Sequence, residues 1–427
     1  MITLKLRIAM TATACVLAMP ATSHAQVNEE RARRYFAEAA ALCEADNGRL
    51  WGVSLCGPMI FADPVTKTIA TSQPEPEAPR PPALGFANTA LEWGGTRWAT
   101  FVWPMVPADD GVARRRMLMH ELFHRVQPQL GLMVLGEPND HLDTLDGRYW
   151  LQLEWRALAA ALASSGADRE QAVRDVLAFR TARRAIFPGA AARERADELR
   201  EGLAQYTGTV LSTASRLEAV ESAVAQLAEY AADATFVRTF AYPSGAAYGL
   251  LLDAWSPGWT RRVGPGDDLG RLLEVASGIE PADDPDAASL AYGGPELRVA
   301  EERRDEERQA KLAELRRRFV DGPVLIVPRG RGAVLRTTGA TPIPGEGTVF
   351  FEYRVTSDWG TLVSNGILVA ADGETLRLSA PFEREGSELI GDGWTVSLAP
   401  GWTIRPGPRE GDFLVVEERR DPGVEPA

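Results

Sequence analysis

The chain has 427 residues, a length that suggests two or three domains and allows a core that needs no metal or disulfide staple. Apolar residues supply 45% of it and charged residues 25%, which excludes a mainly disordered chain and an integral membrane bundle. A formal charge of −13 at pH 7 makes nucleic acid an unfavourable partner, because an acidic surface repels polyanions.

Residues 1–25 read as a signal peptide. Lys5 and Arg7 form a short basic start, Ile8 to Met19 is apolar, and Ser23-His24-Ala25 fits a small-residue cleavage site. The apolar run is too short to span a bilayer, and no later stretch reaches the required length. A soluble protein outside the cytoplasm, periplasmic or secreted, is the expectation. Cleavage would remove Cys15 and leave Cys43 and Cys56, an even pair expected to form one disulfide in an oxidising compartment.

The region 26–110 mixes element types. Residues 29–43 are rich in Ala, Glu and Arg and predict a helix. Trp51 to Ile60, Thr66 to Thr71 and Thr96 to Val106 are β-branched or aromatic and predict strands, broken by Gly-Pro and Asp-Pro. Five prolines in 74–82 predict an extended loop. Trp93, Trp98 and Trp103 read as strand packing.

Helical signals dominate 111–297. Asp109 or Asp110 can cap a helix from Val112 to Gln127, ended by Pro128. Further helices are expected over Trp150–Ala163, Asp168–Ile186, Ala191–Tyr206, Ser212–Ala232 and Ser244–Trp255. Residues 298–321 form a charged helical connector. After Gly322 the pattern switches to strands, with Asp372-Gly373 as a hairpin turn, so 322–420 predicts an antiparallel β domain. The fold class expected is α+β, mainly helical in the middle, with a small β-containing N-terminal region and a C-terminal β domain.

One constellation carries chemistry. His120-Glu121-Leu122-Phe123-His124 is H-E-x-x-H on a predicted helix. Positions i and i+4 share a helix face, so both imidazoles can reach one Zn²⁺, and Glu121 can take a proton from a metal-activated water. The chain has 4 His, and apart from His24 in the leader only His141 lies outside the motif. His141 sits in a polar loop and reads as a surface or pocket-rim residue. Leu118, Met119, Leu122, Phe123 and Val126 make the helix a buried one.

The third ligand has two candidates. Glu154 has Trp150, Leu151, Ala157 and Leu158 as its helical neighbours, and a carboxylate on that apolar stripe needs a cation, either a metal or Arg148 or Arg156. Glu201 lies on a stripe with Asp197, Glu198 and Gln205 that reads as solvated. Periodicity alone therefore favours Glu154.

The segment Glu201-Gly202-Leu203-Ala204-Gln205-Tyr206 resembles the E-G-x-A-x-Y motif of gluzincin metallopeptidases, the aminopeptidase-N-like and thermolysin-related group. Tyr242-Pro243-Ser244-Gly245-Ala246-Ala247 resembles the Y-x-x-G-A segment of the same group, and the three motifs stand in the family order over roughly 112–255. The resemblance implies a zincin-like catalytic domain. His120, His124 and Glu201 would bind Zn²⁺, with Glu121 as general base and Tyr242 as oxyanion donor. It implies a peptidase that hydrolyses peptide bonds in a peptide or protein substrate. No G-x-M-E-N-like segment for binding a free N-terminus is present. A catalytically silent binding protein on this scaffold and a non-peptidase zinc hydrolase are the alternatives. The run Arg114-Arg115-Arg116 reads as a solvated helix start.

Overall fold

The computed structural model describes residues 26–330, 333–336 and 339–418; the expected leader 1–25 lies outside them. Helix α1 spans Glu29–Asp46, its first turn closed by the Asn28 side chain accepting from the Arg31 N–H. Its buried face is Ala32, Tyr35, Phe36, Ala39 and Cys43, the spacing of a helix lying on a core. Four strands follow: β1 Met59–Ala62, β2 Ile69–Thr71, β3 Thr89–Trp93 and β4 Thr96–Val102. They form one sheet in the order β2-β1-β4-β3, with β1 parallel to β4 and β3 on an edge.

The expected strand from Trp51 to Ile60 is present only from Met59. The segment before it is turn and loop, tied to α1 by the Cys43–Cys56 disulfide with Cα atoms 5.3 Å apart. Strand β3 escapes the sequence reading, although Gly94 and Gly95 both take positive φ, as a tight hairpin between β3 and β4 requires. Trp93 and Trp98 are buried in a small cluster on one side of the sheet, and Trp103 joins the main core.

Helix α2, Gly111–Val126, starts at Asp110, whose carboxylate accepts from the Val112 and Ala113 N–H groups. Leu118, Met119, Leu122 and Phe123 are fully buried, each contributing about 1.5–3 kcal/mol on removal from water. The remaining long helices are α3 Leu145–Ala163, α4 Gly166–Ile186, α5 Ala190–Asp197, α6 Leu203–Ser212, α7 Arg216–Tyr230 and α8 Ala241–Trp255, then α9 Leu269–Ser277. The expected single helix Ala191–Tyr206 is interrupted. A π-helical turn, Glu198–Gly202, separates α5 from α6. Helix α2 packs on α6, and α6 on α8.

Two compact units divide the chain, one ending at Arg298 and one beginning at Val299. In the first, residues 26–110 and the helices share one core, in which Phe61 and Phe101 join Leu122 and Phe123. The boundary falls inside a 23-residue helix, Gly294–Arg316, within the expected connector. The second unit holds a six-stranded and a seven-stranded sheet. Leu325 and Leu376 of one sheet and Val355 and Val396 of the other fall in one buried cluster. The molecule is thus α+β with a C-terminal β domain. Among the described residues, no helix is long and apolar enough to cross a membrane.

Candidate metal centre

The buried stretch of α2 places His120 and His124 side by side, their Nε2 atoms 3.0 Å apart. Glu201 enters from the π-helical turn, with Oε2 3.4 Å from His120 Nε2 and 3.3 Å from His124 Nε2. These three ligating atoms all lie within 4.8 Å of one another. The turn can approach because α8 meets it backbone to backbone. A Cβ on Gly245 would lie 2.2 Å from the Gly202 Cα. The extra residue of a π turn shifts the side-chain phase there, and such turns occur often at functional sites.

The imidazole tautomers are fixed from outside. Gln127 Nε2 donates to the Leu199 and Arg200 carbonyls at 2.9 and 2.8 Å, which turns its Oε1 to His124 Nδ1 at 2.8 Å. Gln226 Nε2 donates to Thr209 Oγ1 and the Ser222 carbonyl, leaving its Oε1 to accept from Gln205 Nε2. Gln205 Oε1 in turn faces His120 Nδ1 at 3.1 Å. Both rings therefore carry their hydrogen on Nδ1. Two Nε2 lone pairs and the Glu201 Oε2 then converge, an arrangement that a cation satisfies, while Arg200 Nε lies 3.6 Å from the other Glu201 oxygen. The donor set, two imidazoles and a carboxylate, suits Zn²⁺. Without metal a proton takes that place: burial lowers the His124 pKa, but Glu201 and Glu121 outweigh it and lift it to about 8. For Glu201 burial opposes ionisation, yet bonds to His120 and His124 hold its carboxyl far below the usual range.

Glu121 is buried on the cleft wall, and its Oε2 has no hydrogen-bond partner among the described residues. Burial raises its pKa against the pull of both histidines. Tyr242 stacks on the His120 ring at 5.5 Å and 8°, and Tyr230 stacks on Tyr242 at 5.9 Å and 9°. Burial, with Glu201 adding to it, pushes the Tyr242 hydroxyl pKa up and keeps it a donor. All of these groups line one cleft of about 650 Å³.

Glu154 does not join them. It is fully buried between Arg183 and Arg180, not the expected Arg148 or Arg156, and accepts from the Tyr248 hydroxyl at 2.7 Å. Arg180 also binds Glu198, and Arg183 binds Glu194. Glu154 thus helps hold, through its arginines, the helix and turn that lead to Glu201. His141 is a buried member of the same network, its Nε2 2.9 Å from Glu194 Oε1, and not the surface residue its polar loop suggests. The basic run is not simply solvated either. Arg114 and Arg115 pair with Glu38 on α1, while Arg116 lines the cleft. Gln127, Gln226 and Tyr230 carry no sequence signal; Gln205 is visible only as part of the E-G-x-A-x-Y segment. Compared with protein-family models, curated proteins and solved structures, the chain matches none.

Proposed function

We propose that the protein is a zinc-dependent peptidase acting outside the cytoplasm. The observation that carries this reading is the convergence of His120 Nε2, His124 Nε2 and Glu201 Oε2, with both Nδ1 hydrogens committed to glutamine oxygens. Zinc held there would supply a Lewis acid that polarises a substrate carbonyl and lowers the pKa of a water to about 7. Glu121, with a free carboxylate oxygen on the cleft wall, takes the proton of the attacking water and passes it to the leaving amine. Tyr242, protonated and stacked on His120, donates to the carbonyl oxygen as negative charge develops on it. An intact base and donor are not needed merely to hold a metal, which favours an enzyme over a silent scaffold. The Cys43–Cys56 disulfide supports an oxidising compartment.

Metal analysis of the purified protein and digestion of a mixed peptide library test the proposal together. One zinc per chain, cleavage abolished by a chelator, and a Glu121→Gln variant that keeps zinc but cleaves nothing are expected. Cleavage indifferent to the chelator, or metal-loaded protein that cleaves no peptide, would overturn it.

A further inference from the structure

We infer that Arg116 forms a carboxylate-binding subsite in this cleft, so that the substrate is a peptide bearing an acidic side chain or its own C-terminal carboxylate close to the scissile bond. The inference rests on the peptidase reading of the metal centre for the bond that is cut, but on independent residues for what is recognised.

Three consecutive arginines open α2, and they are not equivalent. Arg114 Nε and Arg115 Nη1 pair with Glu38 at 2.8 and 3.5 Å. Arg116, about 100° further round the helix than Arg115, lines the cleft, which neither of the other two does. Among the described residues no carboxylate lies within ion-pair distance of it; its Nη1 donates to Ser222 Oγ on α7 at 3.2 Å. Its stem is also held. A Cβ on Gly208 would fall 3.1 Å from Arg116 Cγ and 2.5 Å from its carbonyl oxygen, so α6 passes this close only with glycine there. The guanidinium is therefore placed by two helices and keeps donors free.

The rest of the lining has the complementary character. Among the described residues, no acidic side chain other than Glu121 and Glu201 lines the cleft. Its other two arginines are already engaged, Arg97 with Glu92, and Arg200 with Asp197 and Glu201. Met105, Met117 and Met133 supply apolar, adaptable walls, where a charge-assisted bond is screened less than in water. A planar guanidinium with free N–H groups matches a carboxylate in bidentate fashion. Arg116 stands four residues before His120 on the helix, about 6 Å along the axis, or roughly two residues of an extended peptide at about 3.3 Å each. Against a chain whose net charge of −13 repels acidic peptides, this local cation is what would admit them.

Three matched fluorescent peptides test the inference: one with an internal Glu and an amidated end, one with Gln and an amidated end, and one with Gln and a free C-terminal carboxylate. Their binding to the full-length Glu121→Gln protein is measured by anisotropy, and their cleavage by the unaltered protein in parallel. One carboxylate peptide should bind about 10–100-fold tighter than the doubly neutral one, the scale of a charge-assisted pair, and which one does so identifies the source. Adding Arg116→Gln should collapse the preference, whereas Arg115→Gln should preserve it. Equal binding of all three peptides, or a preference that survives Arg116→Gln, overturns the subsite even if all three are cleaved. A preference that depends on Arg116, with no peptide cut, leaves the subsite standing and removes the peptidase reading instead.

Discussion

The first unit contains two buried clusters of charge, and they are built on opposite terms. Around Glu154, carboxylates meet cations. Arg183 binds Glu154 and Glu194, and Arg180 binds Glu154, Glu198 and Asp268. Around Glu201, two imidazole Nε2 atoms and one carboxylate oxygen face one another, and the arginine at hand, Arg200, reaches only the other carboxylate oxygen, at 3.6 Å. Burial costs a charge several kcal/mol unless it is compensated, so the first cluster is closed by its own arginines, whereas the second leaves converging acceptor atoms that could take a cation. Two glutamates that helical periodicity ranks one way are thus ranked the other way by their partners.

Exchanging each glutamate for glutamine is the most direct way to break that contrast, and it carries the largest expected effects. Glu154→Gln should cost about 3–5 kcal/mol of unfolding free energy, because Arg183 loses a buried counter-charge. That is a large fraction of an ordinary total of about 5–15 kcal/mol. Glu201→Gln should abolish zinc binding while lowering the denaturant midpoint of the metal-free protein by less than Glu154→Gln does. Chemical denaturation with chelator and zinc titration, run on both variants, check the pair. Loss of zinc from the Glu154 variant alone would reverse the roles.

Tyr242→Phe should keep zinc and substrate binding and lower kcat by about 10²–10³, the usual cost of one oxyanion donor. Steady-state kinetics on one cleaved peptide decide it, and an unchanged kcat removes the hydroxyl from the reaction. Acid sharpens the contrast further. Burial works against the Glu194 charge, but Arg183 outweighs it and holds the carboxyl well below its ordinary value of 4.5. A depressed folded pKa contributes stability that is present above the unfolded value and is lost as pH falls below it. Chelated protein should therefore lose stability on acidification below about pH 4.5. A Glu194→Gln variant should lack that part of the acid dependence in denaturation curves taken across the range.

What the sequence made legible follows the same division. The H-E-x-x-H helix was readable because its apolar positions and its cap at Asp110 agree, and the Cys43–Cys56 bridge because only two cysteines follow the leader. Strand β3 was not, since Thr89-Ala90-Leu91-Glu92 has no alternation and its order comes from pairing with β4. The π turn at Glu198–Gly202 was invisible because periodicity assumes an unbroken helix, and that assumption put Glu201 on a solvated stripe. The ion pairs of Glu154 with Arg180 and Arg183 span 26 and 29 residues, and nothing local announces them.

The smallest effect tests whether the metal centre is set by its ligands alone or also by the glutamines behind them. Gln127 ties α2 to the turn bearing Glu201: one amide accepts from His124 Nδ1 and donates to two carbonyls of that turn. Gln127→Glu keeps the acceptor for His124 but loses the donor, so the Leu199 and Arg200 carbonyls face a carboxylate. Gln127→Leu loses both. Removing a partner that orients a metal-ligating histidine costs about 10–100-fold in affinity. Zinc affinity should fall by that factor in the Leu variant, with the ring free to place its hydrogen on either nitrogen. The histidine ring-nitrogen chemical shifts of the metal-free protein at high pH report the tautomer directly. A His124 that stays protonated on Nδ1 in Gln127→Leu, with zinc affinity unchanged, would show that the ligands alone set the site.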